Sequence, residues 1–167
     1  MKVRVYVDGF NLYYGALKAR PASRWLDLAV LSRLLRPDDT IDAIRYFTAR
    51  VKGDRDATAP GKQKLYLAAL GTLPLVTVHF GQFRTHPVAM PIAKPGPGKR
   101  RTARVLKTEE KGSDVNLATY LLLDGLDDLY ESAVVISDDS DLETPVRDCL
   151  LYTSPSPRDH SRYLVCR

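Results

Sequence analysis

Apolar and polar residues alternate along this chain with two different periods, and the period changes several times. Val3 to Val7 is a short run of β-branched and aromatic residues, which predicts a strand that ends at Asp8. Ile41 to Val51, Leu75 to Phe83 and Ala133 to Ser137 have the same character. The pattern therefore predicts four strands spread along the chain.

Between the predicted strands, apolar residues recur at the spacing of an amphipathic helix. The predicted helices start near Asn11, cover Leu26 to Leu35, Lys62 to Leu70 and Ser113 to Leu126, and end with one that Thr144 caps. Strands that alternate with helices imply right-handed crossovers and a parallel sheet covered on both faces. We therefore expect an α/β fold with a parallel central sheet, and ligands beyond the carboxyl ends of its strands.

The segment between Arg84 and Lys107 is polar and rich in proline. Its four prolines and PGPG step predict a long loop without regular structure. Positive charge is concentrated in the second half of this loop, at Lys99, Arg100, Arg101, Arg104 and Lys107. Two interpretations stay open, a solvated connector and a mobile clamp on a phosphate backbone, in which Arg100, Arg101 and Arg104 bind substrate.

Three groups of acidic residues fall where this topology brings chain segments together. Asp8 follows the first strand, Asp114 opens a helix, and Asp139 and Asp141 follow the fourth strand. Two carboxylates about 5 Å apart repel by roughly 3 kcal/mol at an effective dielectric of about 20, and a divalent cation removes that repulsion. Oxygen ligands without His or Cys favour Mg²⁺ or Mn²⁺ over zinc. The alternative is that each aspartate only caps a helix.

Composition and charge narrow the class of protein without identifying a function. The chain of 167 residues has the length of one domain, and no apolar run approaches the roughly 18 residues of a membrane span. The alternating N-terminus predicts a strand and not a signal peptide, so we expect a cytoplasmic protein. The chain has two cysteines, Cys149 and Cys166, and this number gives no indication of a disulfide framework or a Cys-based zinc site. The net charge of +5 is compatible with a nucleic-acid partner.

Three motifs together resemble the NYN-domain family, a branch of the PIN-like nucleases. They are DGFN (Asp8 to Asn11), KTEEKGSDVNLATYLL (Lys107 to Leu122) and VVISDDSDLETPV (Val134 to Val146), in that order. The resemblance implies a Rossmann-like, three-layer PIN-type fold and an Mg²⁺- or Mn²⁺-dependent site with ribonuclease activity. Position 138 is often Gly or Asn in the family and is Asp here.

The resemblance also implies roles for individual residues. Asp8, Asp114, Asp139 and Asp141 match the family's acidic positions and are predicted to be both metal ligands and catalytic residues. Asn11, Lys111 and Ser137 are predicted to bind substrate. Tyr13 and Tyr14 follow the first motif; we favour packing over base stacking for them.

The C-terminal segment departs from the pattern of the fold. CLLYTSPSPRD (Cys149 to Asp159) resembles the translation of a transposase-type sequencing adapter. We therefore expect a nuclease-type domain over residues 1–148 and a non-native tail over 149–167 that does not pack from Thr153 onward. The sheet would then be truncated before its last strand. The tail holds three of the arginines and one aspartate, so the basic excess of the remaining chain is smaller than +5.

The function predicted from these motifs is a metal-dependent endoribonuclease that hydrolyses phosphodiester bonds, with a preference for single-stranded RNA. Two alternatives stay open. One is a DNA or structure-specific nuclease of the same superfamily, whose site chemistry would be identical. The other is a non-catalytic RNA-binding or regulatory module whose acidic pocket persists without turnover.

Overall fold

The computed structural model describes residues 1–53, 56–94, 96, 98 and 100–152. Residues 149–152 are described by their backbone only. The strands are β1 (Lys2–Asp8), β2 (Thr40–Ala49), β3 (Val76–Pro91), β4 (Thr102–Lys111) and β5 (Ser132–Ile136). The helices are α1 (Gly9–Asn11), α2 (Leu28–Leu35), α3 (Ala59–Leu70), α4 (Ser113–Leu126) and α5 (Glu143–Tyr152). A π-helical turn spans Leu12–Leu17, and 3-10 turns span Pro21–Ser23 and Ser140–Leu142.

The described strands form one mixed sheet in the order β4-β3-β2-β1-β5. The first three strands and β5 run parallel, with Val5 opposite both Ile44 and Val134. Strand β4 runs antiparallel to β3. The α/β class is therefore confirmed, whereas the prediction of an all-parallel sheet is wrong at the β4 edge.

The antiparallel pair is a long ribbon that replaces the predicted loop between Arg84 and Lys107. Val88 lies opposite Val105 and Pro87 opposite Leu106. The backbone N–H of Ile92 donates to the Arg101 carbonyl, so even-numbered residues of this part of β3 point their N–H groups at β4 and odd-numbered ones point away. Pro87 and Pro91 thus occupy positions where a missing N–H removes no ladder hydrogen bond.

Alternate residues of β1 enter two separate cores, one on each face of the sheet. Val5 packs with Leu28 of α2 and Leu70 of α3 on one face. Tyr6 packs with Leu117 and Leu121 of α4 on the other face. Helices therefore cover both faces, as the alternation of strands and helices predicts.

Helix α4, which carries Asp114 at its start, is anchored to the sheet by a buried charge. The Asp124 carboxylate accepts two hydrogen bonds from Arg45, at 2.7 and 2.9 Å, and one of 2.8 Å from the Tyr6 hydroxyl. Arg4 lies 3.0 Å from the same carboxylate. These contacts fix the far end of α4 against β1 and β2, and with it the direction of the helix.

Two predictions concern the C-terminal part of the chain. Helix α5 begins at Glu143, so Thr144 lies inside the helix and the prediction that it caps the helix is wrong. The predicted non-native tail lies outside the described residues from residue 153 on, and its lack of packing stays a prediction. In the described part, β5 is an edge strand.

No helix within the described ranges is both long and apolar enough to cross a membrane.

Candidate acidic site

Asp8 ends β1 and turns the chain into α1. Its side chain is 2% exposed, and its Oδ1 accepts hydrogen bonds of 3.0 Å from the backbone N–H groups of Phe10 and Asn11. Asp8 therefore caps α1, which is the role that the sequence offered as the alternative to metal binding. The cap also holds its carboxylate at the carboxyl end of the parallel strands, where the topology predicts ligands.

Ser137 and Asn11 hold the other oxygen of Asp8. The Ser137 hydroxyl donates to Oδ2 of Asp8 at 3.2 Å, and the Asn11 side-chain amide donates to the same oxygen. Ser137 Oγ also accepts from the Asn11 amide and from the Asp139 backbone N–H, both at 3.1 Å. These polar groups, predicted to bind substrate, here make their hydrogen bonds to the acidic site itself.

Asp114 lies in the first turn of α4, and the turn before it requires glycine. Gly112 has a φ of 100°, in the left-handed region that favours glycine. The pKa of Asp114 is raised to about 6, first by burial and then by the charges of Asp8, Asp139 and Glu110. The carboxylates that follow β1 and β5 therefore interact electrostatically with Asp114.

Glu110 also belongs to this site, since its charge acts on Asp114. It ends at the base of α4, where its Oε1 accepts from Ser113 N at 3.2 Å and its Oε2 from the Ser113 hydroxyl at 2.7 Å. It reaches this position across Gly81 of β3, because a Cβ there would lie 2.1 Å from Oε1. No local signal in the sequence marks this contact, since it depends on the pairing of β3 with β4.

Asp139, Asp141 and Asp138 differ in their relation to the site. Asp139 caps the 3-10 turn, with its Oδ1 accepting from the Asp141 backbone N–H at 2.9 Å. Its charge contributes to the raised pKa of Asp114. The side chains of Asp141 and Asp138 are exposed, and neither is among the charges that raise the pKa of Asp114. The carboxylates whose charges raise the pKa of Asp114 are those of Asp8, Asp139 and Glu110.

This cluster meets the electrostatic requirement of a cation site but not the geometric one. Burial and three like charges act on Asp114, and a divalent cation would relieve both. The oxygen-only donors suit Mg²⁺ or Mn²⁺. Among the residues that the structure describes, however, no three acidic, His or Cys side chains are grouped closely enough to surround a metal ion.

The predicted substrate-binding cations lie away from the acidic site. Arg104 is seven residues from Lys111 along β4, which corresponds to roughly 23 Å. Arg100 and Arg101 lie still nearer the tip of the ribbon. Lys111 is closer to the site, and its Nζ lies 3.6 Å from Glu109. Lys99 lies outside the described residues. The structure therefore places Arg100, Arg101 and Arg104 on a ribbon and not beside the carboxylates.

A shallow concavity at the base of the ribbon is also separate from the carboxylates. Its lining residues are Arg84, Thr85, His86 and Lys111. None of the four aspartates predicted as ligands lines it. The candidate site is therefore defined by its charges and hydrogen bonds, and not by this concavity.

Tyr13 and Tyr14 lie on the surface beside the site. Their exposed fractions are 38% and 60%, and their rings meet edge to face with centroids 5.2 Å apart. The two rings therefore pack against each other at the surface and not in the core, and base stacking stays untested. They belong to the π-helical turn, whose Leu12 and Leu17 are its buried residues.

Comparison with solved structures finds a similar fold. A protein of unknown function, VPA0982 from Vibrio parahaemolyticus RIMD 2210633, superposes with a TM-score of 0.54 over 98% of this chain and 79% of that chain. The two sequences are 15% identical, so the likeness concerns the fold alone. No protein-family model matches the chain.

Comparison with curated proteins finds a relative of a different enzyme class. The chain is 29% identical over 170 residues to 6-hydroxy-3-succinoylpyridine 3-monooxygenase HspA from Pseudomonas putida (strain DSM 28022 / S16). The alignment covers 85% of this chain and 53% of the relative, so the chain spans about half the relative's length. A monooxygenase is an oxidoreductase, and this finding contradicts the prediction that the protein is an Mg²⁺- or Mn²⁺-dependent ribonuclease of the hydrolase class.

Proposed function

We propose that the protein binds Mg²⁺ or Mn²⁺ at the acidic site and, through that cation, the phosphate backbone of single-stranded RNA. The proposal is one of binding, that of a nucleic-acid-binding module, and includes no hydrolysis. The observation that carries it is the raised pKa of Asp114, caused by burial and by the charges of Asp8, Asp139 and Glu110. Without a cation, repulsion between Asp114 and the other three carboxylates destabilises the charged form of the site.

The residues that would hold the cation are Asp8, Asp114 and Asp139, whose carboxylates would have to move closer together around it than they lie in the structure. A bound divalent ion would supply positive charge that neutralises the carboxylates and attracts phosphate oxygens. Ser137 and Asn11 keep the Asp8 carboxylate in one orientation, and Ser137 also ties Asp139 to it through the Asp139 backbone. Glu110 keeps Asp114 at the site by bonding the first residue of α4.

RNA is proposed as the partner because of the order of the three acidic motifs and the charge of the chain. The resemblance of these motifs to the NYN-domain family, and with it a Rossmann-like, three-layer PIN-type fold, is part of the same proposal. The net charge is +5, of which the predicted tail supplies +2, and the remaining excess of basic residues favours a polyanion as partner. Unpaired RNA suits an open site because its bases and backbone are both accessible.

The test measures cation and RNA binding separately. Titration calorimetry with Mn²⁺ should show binding to the wild type and at least a tenfold weaker affinity for Asp8→Asn and Asp139→Asn, because each loses a charged ligand. Asp138→Asn, an exposed neighbour, is the matched control and should bind as the wild type does. Equal affinity of all four proteins for Mn²⁺ would refute the site.

RNA binding is then followed by fluorescence anisotropy with a labelled oligouridine. We expect Mg²⁺ to strengthen binding and a chelator to reverse the effect, because the cation bridges carboxylates and phosphates. The same chelator should leave binding by Asp139→Asn unchanged. RNA affinity that is equal with Mg²⁺ and with chelator would contradict the proposal.

A second candidate function is the chemistry of the relative, which its 29% identity over 85% of this chain favours. A monooxygenase places one atom of O₂ in its substrate and reduces the other to water, with two electrons from a reductant. The protein is therefore incubated with 6-hydroxy-3-succinoylpyridine, O₂ and a supplied two-electron reductant. Mass spectrometry with ¹⁸O₂ would detect a pyridine product that carries one labelled oxygen atom; unchanged substrate would count against this candidate.

A further inference from the structure

The segment from Leu12 to Leu26 combines exposed aromatic rings with cations and contains no acidic residue. Tyr13, Tyr14 and Trp25 are 38%, 60% and 61% exposed. The exposed cations of the segment are Lys18, Arg20 and Arg24. We propose that these six side chains, here called the aromatic–basic surface, bind single-stranded RNA by base stacking and phosphate contacts. This inference rests on the proposed function for its partner and adds the surface that reads the strand beyond the acidic site.

The tyrosine end of this surface is held in place from below. Leu12 and Leu17 of the same turn are buried in the core beneath the sheet, with exposed fractions of 8% and 6%. The Lys18 backbone N–H donates to the Tyr13 carbonyl at 2.7 Å and closes the π-helical turn. A fixed ring loses little conformational freedom when a base stacks on it, so this end is prepared for stacking.

The tryptophan end is fixed in the same way. Trp25 meets the ring of Tyr66 with centroids 6.3 Å apart, and the Tyr66 hydroxyl donates to the Leu26 carbonyl at 3.0 Å. Tyr66 in turn contacts Tyr46 of β2, which is buried. The chain of contacts therefore links an exposed indole to the core.

The cations lie between the two aromatic ends. Lys18 Nζ lies 4.9 Å above the ring of Tyr14, and Arg24 donates to the Lys18 carbonyl at 2.7 Å. Arg20 donates to the Ala16 carbonyl at 2.9 Å. A guanidinium has five N–H donors, so each arginine keeps donors for a phosphate after this one hydrogen bond.

This combination favours a single-stranded nucleic acid over other anionic partners. Aromatic faces stack on any unpaired base, and cations between them contact the backbone that joins the bases. In a duplex the bases are stacked on each other and do not reach protein rings. Tyr13 follows Asp8 by five residues of helical chain, roughly 8 Å, so one strand can contact both the acidic site and this surface.

The experiment compares variants by anisotropy with a labelled oligouridine in Mg²⁺. Tyr14→Ala combined with Trp25→Ala should weaken binding about tenfold or more, because each lost stack removes a base contact. Tyr14→Trp should bind as the wild type does, and Tyr14→Leu should bind weakly although it keeps an apolar contact. Wild-type affinity of the double variant and of Tyr14→Leu would overturn the proposal.

The cations are tested through the salt dependence of binding. Replacing Lys18, Arg20 and Arg24 with Ala should lower the slope of log affinity against log salt by about 2, at roughly 0.7 per lost phosphate contact. The matched control replaces three exposed cations elsewhere, Lys62, Lys64 and Arg147, and should keep the wild-type slope. An equal change of slope in both triple variants would overturn the proposal, since net charge alone would explain it.

Further arms separate this inference from its alternatives. Loss of RNA binding with chelator but not in the surface variants would refute the inference and leave the proposed function standing. Loss in the surface variants together with no effect of chelator would refute the cation and support the surface. Binding to phosphatidylserine-containing vesicles that depends on these six residues, without RNA binding, would replace RNA by a membrane surface and overturn the proposal.

Discussion

The Ser137 hydroxyl donates a hydrogen bond of 3.2 Å to Oδ2 of Asp8, between the neighbouring strands β1 and β5. The same oxygen of Ser137 accepts from Asn11 and from the Asp139 backbone. A hydroxyl has one donor and two acceptor sites, so its hydrogen bonding is complete. Ser137 is therefore the point at which the first and last acidic motifs of the chain are joined.

Ser137→Ala should destabilise the protein by roughly 1–3 kcal/mol, because buried Asp8 loses a donor and the Asp139 N–H loses its acceptor. Urea denaturation measures the change. Ser140→Ala, which removes an exposed hydroxyl three residues away, should change the free energy of unfolding by less than about 0.5 kcal/mol. Equal stability of Ser137→Ala and the wild type would show that this link contributes nothing.

Asp114→Asn should make the metal-free protein less sensitive to pH. The pKa of Asp114 is raised from 3.8 to about 6, so between these values the folded state binds more protons at this group than the unfolded state does. This group therefore lowers stability as pH rises from about 4 to 6, and the loss persists above. The variant's stability minus that of the wild type should increase over this range in urea denaturation. A difference that is constant with pH would contradict the raised pKa.

The affinity for a cation should also depend on the protonation of Asp114, but it should rise with pH where the stability falls. A carboxylate must lose its proton to bind a metal ion, so Mn²⁺ affinity should fall as pH drops below about 6. Calorimetry at a series of pH values measures this dependence. The pH values 5 and 7 lie about one unit below and above the pKa of Asp114, so its protonation changes between them. An affinity for Mn²⁺ that does not change between these pH values would show that Asp114 takes no part in binding.

Gly81→Ala should disturb the start of α4. The added Cβ would lie 2.1 Å from Oε1 of Glu110, 2.8 Å from the Lys111 carbonyl and 2.9 Å from the Ser113 nitrogen. Glu110 can move, but the two backbone atoms cannot move without shifting β4 or α4, so we expect a loss of about 1–3 kcal/mol.

Gly61→Ala is the matched control for Gly81→Ala. Position 61 lies in α3, where the added Cβ would meet no atom within 4 Å beyond its chain neighbours and the helix backbone, and alanine there should stabilise by about 0.5–1 kcal/mol. Thermal unfolding measures both variants. Gly81→Ala with wild-type stability would show that the backbone relaxes around the Cβ.

Asp124→Asn should cost about 3–5 kcal/mol, because it leaves the Arg4 and Arg45 guanidinium groups without their buried counter-charge. Tyr6→Phe removes one hydrogen bond to the same carboxylate and should cost only about 1 kcal/mol. Asp127→Asn, exposed at the end of α4, is the control. Equal costs for Asp124→Asn and Asp127→Asn in urea denaturation would contradict the anchoring role of Asp124.

The sequence by itself determined the helices and strands that depend on the spacing of apolar residues within one segment. Helix α4 has the predicted bounds, Ser113–Leu126, because glycine before it and the apolar spacing within it act inside the helix. Strand β1 likewise covers the predicted run, extended by one residue at each end. The sequence also predicted that Asp8, Asp114 and Asp139 converge, because the carboxyl ends of parallel strands share one edge of a sheet. The structure shows the charges of Asp8 and Asp139 acting on Asp114, and the convergence around one cation stays a prediction.

Only the tertiary structure decided whether the proline-rich segment forms a strand and which further residues join the site. A proline removes a ladder hydrogen bond only where its nitrogen faces a partner strand. Which strand lies beside β3 depends on the tertiary fold and not on the sequence of β3. Glu110 reaches Asp114 because Gly81, on the paired strand, leaves space for it. Tyr14 and Trp25 are apolar enough for a core, and their exposure depends on how much of the sheet Leu12, Leu17 and α2 already cover.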